Sequence, residues 1–273
     1  MLPKKSLGQN FLTSIPARIA IVKAGDLSSS DTVLEIGPGK GFLTKGILES
    51  GAKVVALEKD RELIPILSEA FASEISSGQL TLLEGDALEF DPTSVLPLPI
   101  THNLQPASYK LIANIPYYIT GAILSRYLSS PHQPSTMVVL VQKEVAQRVC
   151  AKDGKESLLS LSVKCYGEPK LVYRVSRGSF FPIPNVDSGV LQIKNITRAN
   201  FKNQYHEALF FKLIHAGFAH KRKFAISNIK QVFPLNDIPS LFKEVGLSEK
   251  VRAEDVLLHT WLSISLRLTE KKI

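Results

Sequence analysis

The sequence predicts an α/β fold, a largely parallel sheet interleaved with helices, followed by a small all-helical unit. Short apolar runs at Val33–Ile36, Lys53–Glu58, Leu80–Leu83, Tyr109–Ala113 and Thr136–Gln142 alternate with stretches of helical spacing, the pattern of successive βαβ units. The first four runs end in or just before Gly37, Glu58, Asp86 and Asn114, residues that suit the tips of buried strands rather than their interiors. Beyond about Ile196 the alternation stops and only helical spacing remains. A boundary is therefore expected between residues 1–197 and residues 198–273.

In chain order, Lys4 to Leu12 is a short basic and polar arm, and such an end is by itself expected to fray. Ile15, Ile19, Val22 and Leu27 give the first helix. Val33–Ile36 runs into Gly37-Pro38-Gly39-Lys40-Gly41, and Phe42, Leu43, Ile47 and Leu48 then carry a helix that Gly51 ends. Asp60 is expected to cap a helix bearing Leu63, Leu67 and Phe71. A proline-rich irregular loop spans Pro92 to Pro106. Helices follow at Thr120–Leu128, Lys143–Ala151 and Leu158–Val163. Lys170–Val175 and Ser188–Lys194 form a closing antiparallel pair, joined through the stiff aromatic and proline loop Ser179–Asp187. The last unit carries helices near 210–214, 225–232, 238–245 and 260–268.

Composition narrows the function. Hydrophobic residues at 44% support a packed core, and 21% charged residues argue against disorder. The net charge is +8, and from Asn200 onward twelve Lys/Arg face seven Asp/Glu. This balance points to a polyanionic partner, nucleic acid ahead of membrane. Cys150 and Cys165 lack metal-ligand spacing and read as packing residues in a reducing compartment, and no metal site is expected. No signal-peptide core is visible, and the run Met137–Val141 holds only five residues, so a soluble, cytoplasmic protein is expected.

The strand tips carry the chemistry. Gly37, Gly39 and Gly41 allow backbone to approach a ligand closely. Glu58 follows Gly37 by 21 positions, a separation suited to a carboxylate on the two hydroxyls of a ribose. Asp86 suits the exocyclic amine of a purine. A dinucleotide fingerprint would read Gly-x-Gly-x-x-Gly before a pyrophosphate; here Phe42 takes the sixth place, and Glu35 adds an acid beside the turn and is expected among the cofactor-binding residues with Gly37, Gly39 and Gly41. A cationic, phosphate-free adenosine cofactor, S-adenosylmethionine, fits better. Asn114-Ile115-Pro116-Tyr117 is a rigid turn able to hold a side-chain and a main-chain carbonyl on one N–H₂ group, with Tyr117 covering the base that carries it.

The motifs Lys5-Ser6-Leu7-Gly8-Gln9-Asn10-Phe11-Leu12, Glu35-Ile36-Gly37-Pro38-Gly39-Lys40-Gly41, Glu84-Gly85-Asp86-Ala87, Asn114-Ile115-Pro116-Tyr117-Tyr118 and Phe181-Pro182-Ile183-Pro184-Asn185-Val186-Asp187-Ser188 resemble the ribosomal RNA adenine dimethyltransferase family, most nearly its bacterial small-subunit, KsgA-type branch. The resemblance implies a Rossmann-like, class I methyltransferase sheet. It implies dimethylation of the exocyclic amines of two adjacent adenosines near the 3′ end of small-subunit rRNA during ribosome assembly, by a monomer. It further implies that S-adenosylmethionine contacts Asn10, Leu12, Gly37, Glu58, Asp86 and Asn114, so that the arm becomes a lid. Asn114 and the carbonyl at Ile115 or Pro116 would grip the amine while Tyr117 and Phe181 stack on the base. Ser14 stands where the family usually has Asp, which leaves a helix-start contact open. The segment around Lys221, Arg222 and Lys223 matches the family's basic motif imperfectly and is expected to meet RNA phosphates. Two other readings stay open: a ribosome-assembly or transcription factor that kept the fold for nucleic-acid binding, and an amine methyltransferase of adenine in DNA.

Overall fold

The computed structural model describes residues 3–4, 7–96, 109–151, 155–233 and 238–270. Residues 97–106 of the expected proline-rich loop, and Lys5 and Ser6 of the first motif, lie outside these. The chain forms two compact units, Met1–Gln147 with Glu168–Ile196, and Arg148–Gly167 with Thr197–Ile273.

The first unit opens with β1 (Phe11–Leu12) and α1 (Ile15–Gly25), then β2 (Thr32–Ile36), α2 (Phe42–Leu48), β3 (Lys53–Glu58), α3 (Leu63–Ala70), α4 (Ala72–Ser76) and β4 (Leu80–Glu84). It continues through β5 (Tyr109–Asn114), α5 (Thr120–Leu128), β6 (Thr136–Gln142), α6 (Lys143–Val149, its last two residues counted with the second unit), β7 (Glu168–Val175), β8 (Phe180–Phe181) and β9 (Ser188–Lys194). The seven-stranded sheet has the order β4-β3-β2-β5-β6-β9-β7. Its first five strands run parallel, and β9 is antiparallel to both its neighbours. The chain winds outward from β2 through β3 to β4, then returns to the other side of β2 as β5. That reversal opens a crevice at the carboxyl ends of β2 and β5, the place where such sheets bind ligands. Helices cover both faces, so the central strands are apolar on both sides. Val33, Val54, Ile112 and Val138 are buried in one cluster with Leu12, Ile21, Ile47, Leu63 and Phe180.

Local signals explain the helix ends. The Ser14 hydroxyl caps α1 by accepting from Ala17 N at 3.4 Å, so the serine that departs from the family pattern still makes the helix-start contact. The cap expected of Asp60 is displaced: α3 starts at Leu63 behind Glu62, and Asp60 instead accepts from Glu62 N at 3.2 Å within the preceding turn. The strand expected from Lys170 begins earlier, at Glu168, with a bulge between Leu171 and Tyr173.

The second unit holds α7 (Leu158–Lys164), α8 (Gln204–Gly217), α9 (Ala225–Val232), α10 (Ile238–Glu244) and α11 (Leu258–Glu270). The Asn203 side chain caps α8, which is why that helix starts well before the expected 210–214. Gly217 lies under Trp261, where a Cβ would come within 2.5 Å of the indole. The unit boundary expected at 197/198 differs from this division over residues 148–167. That segment joins the helices because α7 packs on α8, Glu156 N donates to the Glu254 carbonyl at 2.8 Å, and Thr197 N donates to the Tyr166 carbonyl at 2.8 Å. Among the described residues no helix is long and apolar enough to cross a membrane, and no group of three or more His, Cys, Asp or Glu is placed to hold a metal ion.

Candidate active site

A cavity of about 690 Å³ opens at the carboxyl ends of β2, β3, β4 and β5. Its floor is the glycine-rich turn after β2. Gly37 has φ +69° and Gly41 φ +80°; a Cβ at Gly41 would lie 2.3 Å from the Phe71 ring, so only glycine lets the chain turn there into α2. Gly39 N donates to Glu58 Oε2 at 3.0 Å, and Asp60 N donates to Glu58 Oε1 at 2.8 Å. Glu58 thus ties the turn to the tip of β3, and each oxygen keeps acceptor capacity for a hydroxyl. Burial pushes its carboxyl above the usual range, while those two backbone bonds pull it down. On the neighbouring tip, Asp86 accepts from Leu88 N at 2.9 Å and pairs with Lys59 at 2.6 Å. The Lys59 bond holds its carboxyl below the usual range.

Glu35 departs from expectation. It is 0% exposed and is not among the described residues that line the cavity. It sits in β2 under α2, where burial raises its pKa to about 8 and the Thr44 hydroxyl offsets only part of that. A side chain enclosed in this way supports the floor rather than touching a ligand.

At the tip of β5, Asn114 Nδ2 donates to the Asn10 carbonyl at 3.1 Å, leaving Oδ1 as the acceptor. The Pro116 carbonyl accepts from Ile119 N at 3.2 Å and closes the next turn. The Tyr117 hydroxyl bonds Ser188 Oγ at 2.6 Å, which anchors a half-buried ring at the cavity wall, and burial raises its pKa.

The N-terminal arm is built into this wall. Lys4 Nζ donates to Asp60 Oδ1 at 2.7 Å and lies 2.9 Å from Glu62 Oε1, while Gln9 Nε2 donates to Asp60 Oδ2 at 2.9 Å. Gly8 packs under Pro116 and Tyr118, and the Phe11 ring rests on Gly39. β1 then pairs antiparallel with β8, setting Phe11 opposite Phe181 and Leu12 opposite Phe180, and Thr13 N donates to the Ser179 carbonyl at 2.8 Å. Leu12 lines the cavity yet is sunk in the core, whereas Phe181 is 56% exposed at the rim.

Asn10, Leu12, Gly37, Gly39, Gly41, Glu58, Asp86, Asn114, Pro116, Tyr117 and Phe181 therefore line one cavity, and Glu35 stands behind it. Lys221, Arg222 and Lys223 belong to the other unit, exposed in the turn between α8 and α9. Sequence reasoning missed Lys59, Ser188 and the anchoring role of Asp60. An acid two places past a strand-tip Glu was the one visible signal, and a nearby helix absorbed it.

A sequence profile described as ribosomal RNA adenine dimethylase matches residues 2–270. The ribosomal RNA small subunit methyltransferase A of Dehalococcoides mccartyi (strain CBDB1) is 39% identical over 265 residues, covering 96% of this chain and 87% of that protein. The protein of the same name from Deinococcus radiodurans is 38% identical, covering 94% and 82%. A dimethyladenosine transferase from Plasmodium falciparum superposes with a TM-score of 0.80 at 25% identity, covering 96% of this chain and 98% of that one. The 23S rRNA methyltransferase ErmE superposes at 0.74 with 23% identity, covering 95% and 100%, a likeness of fold.

Proposed function

Because this chain belongs to the ribosomal RNA adenine dimethylase family, we propose that its cavity takes S-adenosylmethionine and that it methylates two adjacent adenosines near the 3′ end of small-subunit rRNA in an assembling ribosomal particle. The enzyme is an rRNA adenine dimethyltransferase, and two methyl groups go to each exocyclic amine. The observation that carries the site assignment is the orientation of Asn114: its N–H₂ is taken by the arm, so its oxygen is what a substrate amine would meet.

The residues fit the cofactor. Gly37 leaves room beside the Asn114 carbonyl, where even a Cβ would already touch at 3.4 Å. Glu58 offers acceptors for ribose hydroxyls and Asp86 for the adenine amine, since the bonds from Lys59 and Leu88 N leave each Asp86 oxygen with acceptor capacity. Asn10 and Leu12 close the same space from the arm. When bound, S-adenosylmethionine supplies a methyl group activated on a sulfonium.

The protein's own task is alignment. An adenine amine is a weak nucleophile because its lone pair is delocalised into the ring. Asn114 Oδ1 and the Ile115 carbonyl accept its two N–H bonds, draw it toward a pyramidal geometry and fix the direction of the lone pair. The Pro116 carbonyl is already engaged with Ile119, which favours Ile115 as the second acceptor. Orientation of this kind is worth about 7–11 kcal/mol in well-aligned pairs. Tyr117, anchored at Ser188, and Phe181 take the two faces of a base drawn out of its stack. Lys221, Arg222 and Lys223 add phosphate contacts.

Labelled S-adenosylmethionine and small-subunit particles lacking the mark test this reading. Label is expected in dimethyladenosine at two neighbouring positions, with naked rRNA and duplex DNA as competitors. Cofactor binding without transfer to RNA would point to a non-catalytic RNA-binding factor, and preferential transfer to DNA would reassign the substrate.

A further inference from the structure

We infer that Asp60 is a positioning residue for methyl transfer, acting on Asn114 through the N-terminal arm; this rests on the amine-gripping role proposed above for Asn114. Asp60 is 2% exposed, yet its carboxylate serves the arm rather than the sheet. One oxygen takes Lys4 Nζ at 2.7 Å and the other takes Gln9 Nε2 at 2.9 Å. Gln9 Oε1 in turn accepts from Lys4 N at 2.8 Å, so the two arm residues and the acid form a closed clasp. Directly after the clasp, Asn10 Nδ2 donates to the Gly8 carbonyl at 3.1 Å and shapes the turn that presents the Asn10 carbonyl to Asn114.

That carbonyl decides which way the Asn114 amide lies. In the observed orientation Nδ2 meets an acceptor at 3.1 Å. Turned over, Oδ1 would face the same carbonyl with no proton between them, and the N–H₂ would point at the substrate amine, where two donors meet. The arm is therefore more than a cover: its backbone selects the reactive rotamer. β1 has only two residues, a short pairing; together with the packing of Gly8 and Phe11, the Asp60 clasp restrains the arm at Gln9, the residue directly before Asn10. The same geometry sets Phe11 against Phe181, so the arm joins the amine grip to the stacking residue.

The test compares the full-length wild type with Asp60→Asn and Gln9→Leu in single-turnover methyl transfer to unmethylated small-subunit particles, with labelled S-adenosylmethionine and particles both saturating. Side-chain ¹⁵N–H₂ signals of the same proteins are recorded alongside, with Asn114 assigned through Asn114→Ala. Asp60→Asn is expected to slow the saturated rate by about tenfold or more, since misplacement of order 1 Å costs about 100-fold. Gln9→Leu is expected to lose less, with an unchanged melting temperature, and to keep the test valid should the buried substitution unfold the chain. In both, the Asn114 N–H₂ signal is expected to shift and exchange faster. A loss confined to cofactor affinity with the saturated rate intact would overturn the inference, as would a slowed rate with an unmoved Asn114 signal. A wild type that transfers no methyl group would instead overturn the functional reading on which the inference stands.

Discussion

The cavity rim of the sheet unit and the basic turn of the helical unit both carry residues assigned here to RNA, and they are built in opposite ways. At the rim the polar groups are tied down: Asn114 to Asn10, Tyr117 to Ser188, Glu58 to Gly39 and Asp60. Lys221, Arg222 and Lys223 lie exposed in a turn between two helices. The contrast follows from what each must do. Bond-making tolerates errors of only a fraction of an ångström, so its side chains are fixed beforehand. Attraction to a phosphate acts over a Debye length of about 8–10 Å and needs charge rather than fixed geometry.

Substitutions can break or sharpen that contrast. The largest effect is expected from Asn114→Ala, which removes one preorganised acceptor and should slow the saturated rate by about 10²–10³-fold, in the range known for single oxyanion-hole donors. Cofactor affinity, measured by calorimetry, should change little, because the strand tips at Gly37, Glu58 and Asp86 remain. Phe181→Ala comes next: losing a base–aromatic stack is expected to cost about 1–3 kcal/mol, read as a raised KM for the particle.

Glu35 tests whether a tied-down neighbourhood always serves the ligand. Its folded carboxyl stays protonated up to a pH of about 8, whereas in the unfolded chain it ionises near 4.5. Between those values the unfolded state holds fewer protons, so stability falls as pH rises, by about 1.4 kcal/mol per pH unit from this group alone. Glu35→Gln should flatten that slope, raising the melting temperature more at pH 8 than at pH 5, with cofactor affinity unchanged. The smallest effect belongs to the basic turn. Replacing Lys221, Arg222 and Lys223 by Ala should leave the saturated rate intact. The salt slope of particle binding should fall by about 0.7–0.9 for each phosphate that is no longer neutralised.

The parallel strands and their tips were readable because burial on both faces demands continuous apolar runs, and the runs stop where Gly37, Glu58, Asp86 and Asn114 meet solvent. Glu35 was misplaced for a related reason. Its position beside the turn is evident in the chain, but whether a strand residue faces the crevice or the helix layer depends on the layer that covers it. Asp60 was read as a helix cap because Asp before an apolar periodic stretch usually is one. Nothing local announces that Lys4 and Gln9 will return to it.

Local chemistry in the chain determined the βαβ order, the glycine turn and the prolyl turn after Asn114, since each depends on neighbours a few residues apart. Tertiary structure alone decided that β1 pairs with β8, far along the chain, that residues 148–167 join the helical unit, and that the Asn114 amide turns its oxygen to the crevice. The first and last rest on hydrogen bonds between segments too short to carry a periodicity, and the second on the packing of α7 against α8; partners of either kind are chosen only once folding has brought them within reach.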